Sequence, residues 1–393
     1  MSLPNQPTLD FAQHHCNDDP LQLLLQSARY PDIDMRWVAQ QIEGLRKAKS
    51  KWPSLLQYPT YLYPPQLNRE QSSSEATARY KASLIEGDTV ADLTGGMGID
   101  SLFFSQHRSY TVYVEQNATL CEIESHNFAE INAPIQVVCD DSLHWLAQCK
   151  QSFHTLYLDP ARRNDGHRVV AFEDCSPNIL EQMPLLWQHG QQLLIKASPM
   201  IDLAAATSQL SSVSAIHVVA VGGECKEVLF LCRQASSEPT IHCVDLLSDG
   251  TVRHHHHFTR TSEAAAEVLY TTQPRHYLYD PHAALLKGGA FRSISVWYNV
   301  QKLGRNTHLY TSDTLVPDFP GRCFEVIHQV APTAKALRPL LPNGRCHVVT
   351  KNYPLSASQL QQQLKVHEGG NLFFVATRIG EQHIGLLCRT VDT

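Results

Sequence analysis

The chain has 393 residues, of which 43% are hydrophobic and 18% charged, and a formal net charge of -6 at pH 7. That length predicts about two or three domains with ample core, and the negative balance argues against a uniformly basic nucleic-acid binder while leaving room for local basic patches. No apolar run reaches the roughly 18 residues that span a bilayer, and the opening M-S-L-P-N-Q lacks a basic stretch followed by an apolar one, so a cytoplasmic protein with no membrane partner is expected. Eleven cysteines without a C-x-x-C pair suit buried thiols in a reducing compartment better than a disulfide framework or a zinc site.

Residues 1–75 carry helical patterning. Val38, Ile42 and Leu45 recur at helical spacing within 34–49, beside a basic cluster of Arg46, Lys47, Lys49 and Lys51. The prolines of W-P-S-L-L-Q-Y-P-T-Y-L-Y-P-P, residues 52–65, exclude a regular helix and predict an extended strap that packs its tyrosines on the next domain. Residues 75–84 then read as a helix. From 89 to about 233 strand and helix patterns alternate, which implies a mostly parallel sheet covered on both faces.

The stretch T-V-A-D-L-T-G-G-M-G-I-D, residues 89–100, reads as a buried strand ending at Asp92, a turn through Thr94, Gly95, Gly96 and Gly98, and a helix starting near Asp100. Glycines there let backbone approach a ligand closely. The next strand, 111–115, ends in Glu115 about 20 residues past the turn, the spacing at which an acid meets ribose hydroxyls. A dinucleotide fingerprint has a third glycine where this chain has Ser101, and Asp92 and Asp100 would repel a diphosphate. The same acids suit a ligand with an amino group and a sulfonium, so S-adenosyl-L-methionine fits better than NAD.

Strand 135–139 ends at Asp140-Asp141, one of which is expected to hold an adenine amino group and the other to cap the helix 142–149. Strand 155–158 runs into Asp159-Pro160-Ala161-Arg162-Arg163 at the switch point beside the first strand, where the crevice of an open α/β sheet lies. Asp159 and the Pro160 carbonyl are candidate acceptors for an amine undergoing methylation. Arg162 and Arg163 are candidates to grip a phosphate, or to pair with Asp165, Glu173 or Asp174. The fifth strand, 192–196, ends in K-A-S-P. Residues 215–221 and 228–231 predict a closing antiparallel pair, with Lys196, Lys226 and Glu227 at the mouth of the site.

The glycine loop, Glu115 and L-D-P-A-R-R resemble the class I S-adenosylmethionine-dependent methyltransferases. More narrowly, L-D-P-A-R-R, F-E-D-C-S-P-N, I-K-A-S-P-M-I-D, G-G-E-C-K-E-V-L-F, Y-L-Y-D-P-H-A-A-L-L-K-G-G-A-F and K-N-Y-P-L-S resemble a bacterial methyltransferase family with a small ferredoxin-like insert and a C-terminal THUMP-like domain. The match runs from about residue 90 to the C-terminus. It implies a Rossmann-like class I methyltransferase domain of α/β class, with an N-terminal helical region and a C-terminal α+β module. Methyltransferases of exocyclic base amines usually carry Asn or Asp, two prolines and an aromatic; Ala161 and Arg162 stand here instead, so the motif lacks its aromatic. The loop also resembles the D-P-P-R element of uracil-C5 enzymes. The cysteine those use is replaced by Ala197-Ser198-Pro199, which argues against covalent C5 chemistry.

Beyond Arg233, strands at 240–246 and 251–258 flank Ser248-Asp249-Gly250. The second holds His254–His257, whose side chains must alternate between faces; a metal would need a third ligand from elsewhere, and none is expected. An α+β tail follows, THUMP-like by resemblance and so associated with RNA binding, with Lys335, Arg338, Arg345 and Lys351 as its basic residues. The expected division is 1–75, 76–235 for the cofactor domain, 236–322 for linker strands and the ferredoxin-like region, and 323–393 for the THUMP-like domain. The expected function is S-adenosylmethionine-dependent methylation of a nitrogen in an RNA base, in rRNA or tRNA. A methyltransferase-fold RNA binder without turnover and a nicotinamide-dependent oxidoreductase are the rivals.

Overall fold

Side-chain caps start the N-terminal helices. Asn5, Asp19 and Asp34 each accept hydrogen bonds from backbone N–H groups in the first turns of α1 (Gln6–His14), α2 (Pro20–Leu25) and α3 (Met35–Lys51). Ala12 and Leu23 pack onto Met35, Val38 and Ile42 of α3. The computed structural model describes residues 3–162, 172–210, 212–234 and 237–391, apart from the side chains of Arg162 and Asp174. The stretch expected to be an extended strap over 52–65 instead opens with a 3-10 helix at Pro53–Gln57 and a turn in which the Tyr61 N–H donates to the Tyr58 carbonyl; only 61–65 run free of local turns, burying Tyr61, Leu62 and Tyr63. The buried Asn127 side chain clamps this strap, accepting from the Leu62 N–H at 2.8 Å and donating to the Leu62 carbonyl at 2.9 Å. The short α4 (Gln66–Gln71) and α5 (Glu75–Leu84) follow.

Parallel strands form the centre of the next region: β1 (Thr89–Asp92), α6 (Ile99–Ser105), β2 (Tyr110–Glu115), α7 (Ala118–Ile131), β3 (Ile135–Cys139), α8 (Ser142–Gln148) and β4 (Phe153–Leu158). A two-residue ladder joins β5 (Ala161–Arg162) to β6 (Cys175–Ser176). Then come α9 (Ile179–His189), β7 (Gly190–Ala197), α10 (Leu203–Gln209), β8 (Val213–Val221) and β9 (Glu224–Arg233). Their order across the sheet is β8-β9-β7-β4-β1-β2-β3. Val90 lies opposite Thr111 on one side and Thr155 on the other, so the switch point falls between β1 and β4. The pairs β4–β7 and β2–β3 are also parallel, whereas β7–β9 is antiparallel. The turn between β8 and β9 shrinks to Gly222 and Gly223, both at positive φ. Polar Glu224 and Lys226 suggested a longer loop, but they are solvent-exposed residues of β9.

The chain forms two units, one of Met1–Val221, Lys226–Pro239 and Leu246–Arg253, the other of Gly222–Cys225, Thr240–Asp245 and His254–Thr393. The second contains most of the hairpin β10 (Thr240–Leu246) and β11 (Val252–Phe258), then α11 (Arg260–Ala265), β12 (Tyr277–Pro281), α12 (Ala283–Gly288) and α13 (Ser293–Tyr298). It continues through β13 (Gln301–Lys302), β14 (Tyr310–Ser312), β15 (Gly321–Val330), α14 (Ala334–Leu337), β16 (His347–Lys351), α15 (Ala357–Leu364), β17 (Leu372–Ile379) and β18 (Gln382–Thr390). A sheet of order β13-β14-β12-β15-β18-β17-β16 holds strands β12 to β18. Leu278, Phe324, Val375 and Leu386 pack together within it, and Leu360 and Leu364 of α15 pack with Phe374 and Leu387. His254 and His256 are half-buried while His255 and His257 are exposed, as strand alternation requires. His256 hydrogen-bonds the Tyr298 hydroxyl at 2.6 Å and stacks on Trp297. Among the described residues no three His, Cys, Asp or Glu side chains converge as a metal site.

Candidate functional site

β1 delivers Asp92 into the interior, where it is 1% exposed. It accepts from the Thr94 N–H at 3.0 Å and the Ser101 hydroxyl at 2.6 Å. Burial nevertheless pushes this carboxyl up to about 7. Ser101, standing where a dinucleotide site has its third glycine, thus serves Asp92. Gly95 lies against Tyr113, whose ring a Cβ would meet at 2.3 Å. Gly98 takes φ 65° as the N-cap of α6. Gly96, at φ 55°, is different: a Cβ there would meet nothing closer than the Thr94 carbonyl at 3.8 Å, so its backbone is bare toward the cleft.

At the end of β2, Glu115 accepts from the Gly96 N–H at 3.0 Å and from the Asn117 N–H at 2.8 Å. One bond to each oxygen leaves each with a further lone pair. Asp141 caps α8 through the Leu143 and His144 N–H groups. Asp140 instead pairs with the His144 ring, whose hydrogen bond holds its carboxyl below the usual carboxylate range.

Asp100 does not present a free negative charge. Ser73 and Tyr157 donate to it at 2.8 Å each, and the Lys81 ammonium lies 3.3 Å away. Burial works to raise the Asp100 pKa, but the charges of Lys81 and Lys196 and the two hydroxyl donors outweigh it and hold it low. Lys81 is fully buried and also binds both Glu227 oxygens, at 2.9 and 2.8 Å, and Ser73 at 2.9 Å. Glu227 therefore does not stand at the mouth of the site. A buried ammonium needs this counter-charge, and β9 brings it inward.

The Asp159 N–H donates to the Thr94 hydroxyl at 2.7 Å, and its carboxylate is ion-paired with Lys196. Neighbouring positions explain the pair, because β4 and β7 run in register with Leu158 opposite Ile195. Pro160 faces a smaller cavity beside the cleft. The Arg162 side chain, Arg163, Asp165 and the Asp174 side chain lie outside the described residues.

A cleft of about 790 Å³ opens at the carboxyl ends of β1 to β4, lined by Thr94, Gly95, Gly96, Gly98, Asp100, Glu115, Asp140, Asp141 and Asp159 among others. Asn68, Gln71, Ser72 and Ser73 add a wall from the N-terminal region. Sequence reasoning missed that wall, since a polar helix end carries no signal of what it faces.

A ferredoxin-like domain model matches residues 277–320, and a THUMP domain-like model matches 321–390. No curated protein sequence matches the chain significantly. Among solved structures, the "putative methyltransferase from Porphyromonas gingivalis W83" is 31% identical and superposes with a TM-score of 0.88, covering 100% of both chains. An rRNA methylase from Streptococcus thermophilus is 11% identical at a TM-score of 0.29, over 40% of this chain and 93% of that one. The tRNA (uracil-54, C5)-methyltransferase of Pyrococcus abyssi, solved with S-adenosyl-L-homocysteine, is 14% identical at 0.30, over 41% and 38%. Similarity that slight does not bear on substrate. The full-length match is different in kind, and with the two domain models it shows that the chain belongs to the family of the P. gingivalis protein, class I methyltransferase-fold proteins with C-terminal ferredoxin-like and THUMP-like domains.

Proposed function

We propose that the protein is an S-adenosylmethionine-dependent methyltransferase acting on a nitrogen of an RNA base, with rRNA or tRNA as its partner in the cytoplasm. The observation that carries the cofactor assignment is the charge of the cleft. Asp100, Glu115, Asp140, Asp141, Asp159 and Glu181 line it, and among the described residues no Lys or Arg does. Asp100 and Asp159 are paired with lysines, but Glu115, Asp140, Asp141 and Glu181 leave the lining net negative, which disfavours the diphosphate of a nicotinamide dinucleotide and suits a cationic ligand. The bare Gly96 backbone and the spare Glu115 lone pairs fit its ribose. Asp140 or the remaining Asp141 oxygen suits an adenine amino group.

S-adenosylmethionine would supply a methyl group on a sulfonium, an electrophile with its leaving group built in. What remains for the chain is alignment and acceptance of a proton. We assign that acceptance to Asp159, at the edge of the cleft. Support for RNA comes from the THUMP-like domain. Among the described residues no helix is long and apolar enough to cross a membrane. One observation favours a binder without turnover, namely that Lys196 already occupies Asp159.

Calorimetry with S-adenosylhomocysteine and with NADPH tests the cofactor, and transfer of labelled methyl into total cellular RNA, followed by nucleoside digestion, tests the reaction. Binding of the first ligand alone and label in an N-methylated nucleoside are expected. Tight NADPH binding would overturn the cofactor assignment, and cofactor binding without any label in RNA would favour the silent binder.

A further inference from the structure

Two thiols meet behind the wall of the large cleft. Cys121 lies buried in the first turn of α7, and Cys139 ends β3, exposed to solvent. One backbone atom brings them together. The Glu115 carbonyl at the end of β2 accepts from the Cys121 thiol at 3.1 Å and from the Asp140 N–H, also at 3.1 Å, while Glu115 itself pairs with Cys139 across the parallel strands. The Cys121 and Cys139 thiols are accordingly in hydrogen-bonding contact. A disulfide places its sulfurs about 2.05 Å apart, a short step from that contact.

The two sulfurs differ in reactivity. Oxidants are attacked by a thiolate that they can reach. Burial, and then the contact with Cys139, push the Cys121 thiol up to about 12, so it stays protonated as well as covered. Cys139 is the sulfur open to solvent. Both stand next to the lining of the cleft, which includes Leu120 beside Cys121, Asp140 beside Cys139, and Gln116 and Asn117 after Glu115.

We propose that Cys121 and Cys139 are an oxidisable dithiol, which a hydroperoxide converts to a disulfide, and that this modification lowers the affinity of the cleft for its cofactor. The Cys139 sulfur attacks the terminal peroxide oxygen, giving a sulfenic acid; the alkoxide, or the hydroxide from hydrogen peroxide, leaves with the thiol proton. The Cys121 sulfur then attacks the Cys139 sulfur, the S–O bond breaks, and hydroxide leaves as water with the Cys121 proton. The two thiols lose two electrons in all and the peroxide gains them. A dithiol reductant reverses the bond by exchange. The bond takes the Cys121 donor from the Glu115 carbonyl and draws the first turn of α7 toward the end of β3, moving Leu120 against Asp140 and disturbing the backbone that presents Glu115. Formation of the bond is independent of any ligand, whereas its effect on the cleft rests on the methyltransferase reading.

The full chain, reduced and then treated with hydrogen peroxide, is digested at acid pH and analysed by mass spectrometry. Peptides joined through Cys121 and Cys139 should dominate the oxidised products, and dithiothreitol should separate them. In Cys121→Ser, which has no resolving thiol, a Cys139 sulfenic acid trapped by dimedone should accumulate instead. Calorimetry should show S-adenosylhomocysteine binding about five-fold weaker or more after oxidation, and saturating S-adenosylhomocysteine should by linkage make the dithiol harder to oxidise in glutathione buffers by the same factor. Cys139→Ser, altered only at an exposed position, should bind as the reduced native chain does with or without peroxide, and it keeps the test if Cys121→Ser is unstable. Peroxide treatment that leaves Cys139 reduced, or oxidises it without joining it to Cys121, overturns the dithiol. A joined pair with unchanged affinity overturns the coupling to the cleft. If the pair is joined but S-adenosylhomocysteine binds neither form, the methyltransferase reading falls and the dithiol stands.

Discussion

Asp92 is held at odds with its own ionisation. Its pKa rises from 3.8 to about 7, so the folded state binds a proton in that window that the unfolded chain releases. Stability is therefore greatest below about pH 4 as far as this group is concerned, and falls as pH rises through about 7, by on the order of 4 kcal/mol. Asp92→Asn should flatten that part of the curve, which denaturant titrations of both proteins between pH 4 and 8 would show. The difference between the two curves isolates the carboxyl, because burial pushes His242 and His256 down to about 4 and makes them act in the opposite sense. Their contribution is lost as pH falls from about 6.5 toward 4. Glu115→Ala removes acceptors at the end of β2 and should weaken S-adenosylhomocysteine binding by about 1.5–3 kcal/mol by calorimetry. The positions of both acids were legible in the sequence, since Asp92 ends an apolar strand run at the glycine turn and Glu115 ends the next such run. The partners of the lysines were not. Lys81 meets Glu227 across 146 positions and Lys196 meets Asp159 across 37, and only sheet register and packing bring such pairs together.

The strap at 58–65 joins the N-terminal helices to α7 through the side chains of His126, which hydrogen-bonds the Thr60 carbonyl at 2.9 Å, and Asn127. Asn127 satisfies both backbone groups of the buried Leu62, so Asn127→Leu would strand a donor and an acceptor together and should cost about 2–4 kcal/mol. The same variant should bind S-adenosylhomocysteine more weakly than its residual stability alone explains, because the strap leads into Asn68 to Ser73 on the cleft wall. Thermal unfolding with and without the ligand would separate the two effects. Prolines excluded an α-helix over the strap, though its first half forms a 3-10 helix and a turn where extended backbone was expected, and runs such as Val112 to Val114 made the strands readable. What faces the cleft from α4 was not readable, because its polar residues would look alike on any surface. β8 and β9 were longer than their apolar runs for a related reason: a hairpin can carry its ladder past the buried layer with exposed residues such as Glu224.

For the molecule as a whole, the division of labour we propose sets an acidic cleft in one unit and RNA affinity in the other. Lys351 is not available for RNA, since it pairs with the buried Asp280 at 2.7 Å. Lys335, Arg338 and Arg345 are exposed. Reversing all three to Glu should weaken binding of total cellular RNA at least ten-fold in filter assays and flatten its salt dependence, while S-adenosylhomocysteine affinity stays unchanged. An unaltered salt slope would remove those residues from the interface. The buried ammonium of Lys81 has a different kind of consequence. It is locked among Glu227 of β9, Asp100 of α6 and Ser73, so an amine-reactive reagent can reach it only when those three elements part. The chain thus carries its own clock for the opening of the cleft: the rate at which residue 81 is acylated, read by mass spectrometry against the fast-labelling surface lysines, counts unfolding events, and any ligand that seats on the glycine loop should slow it.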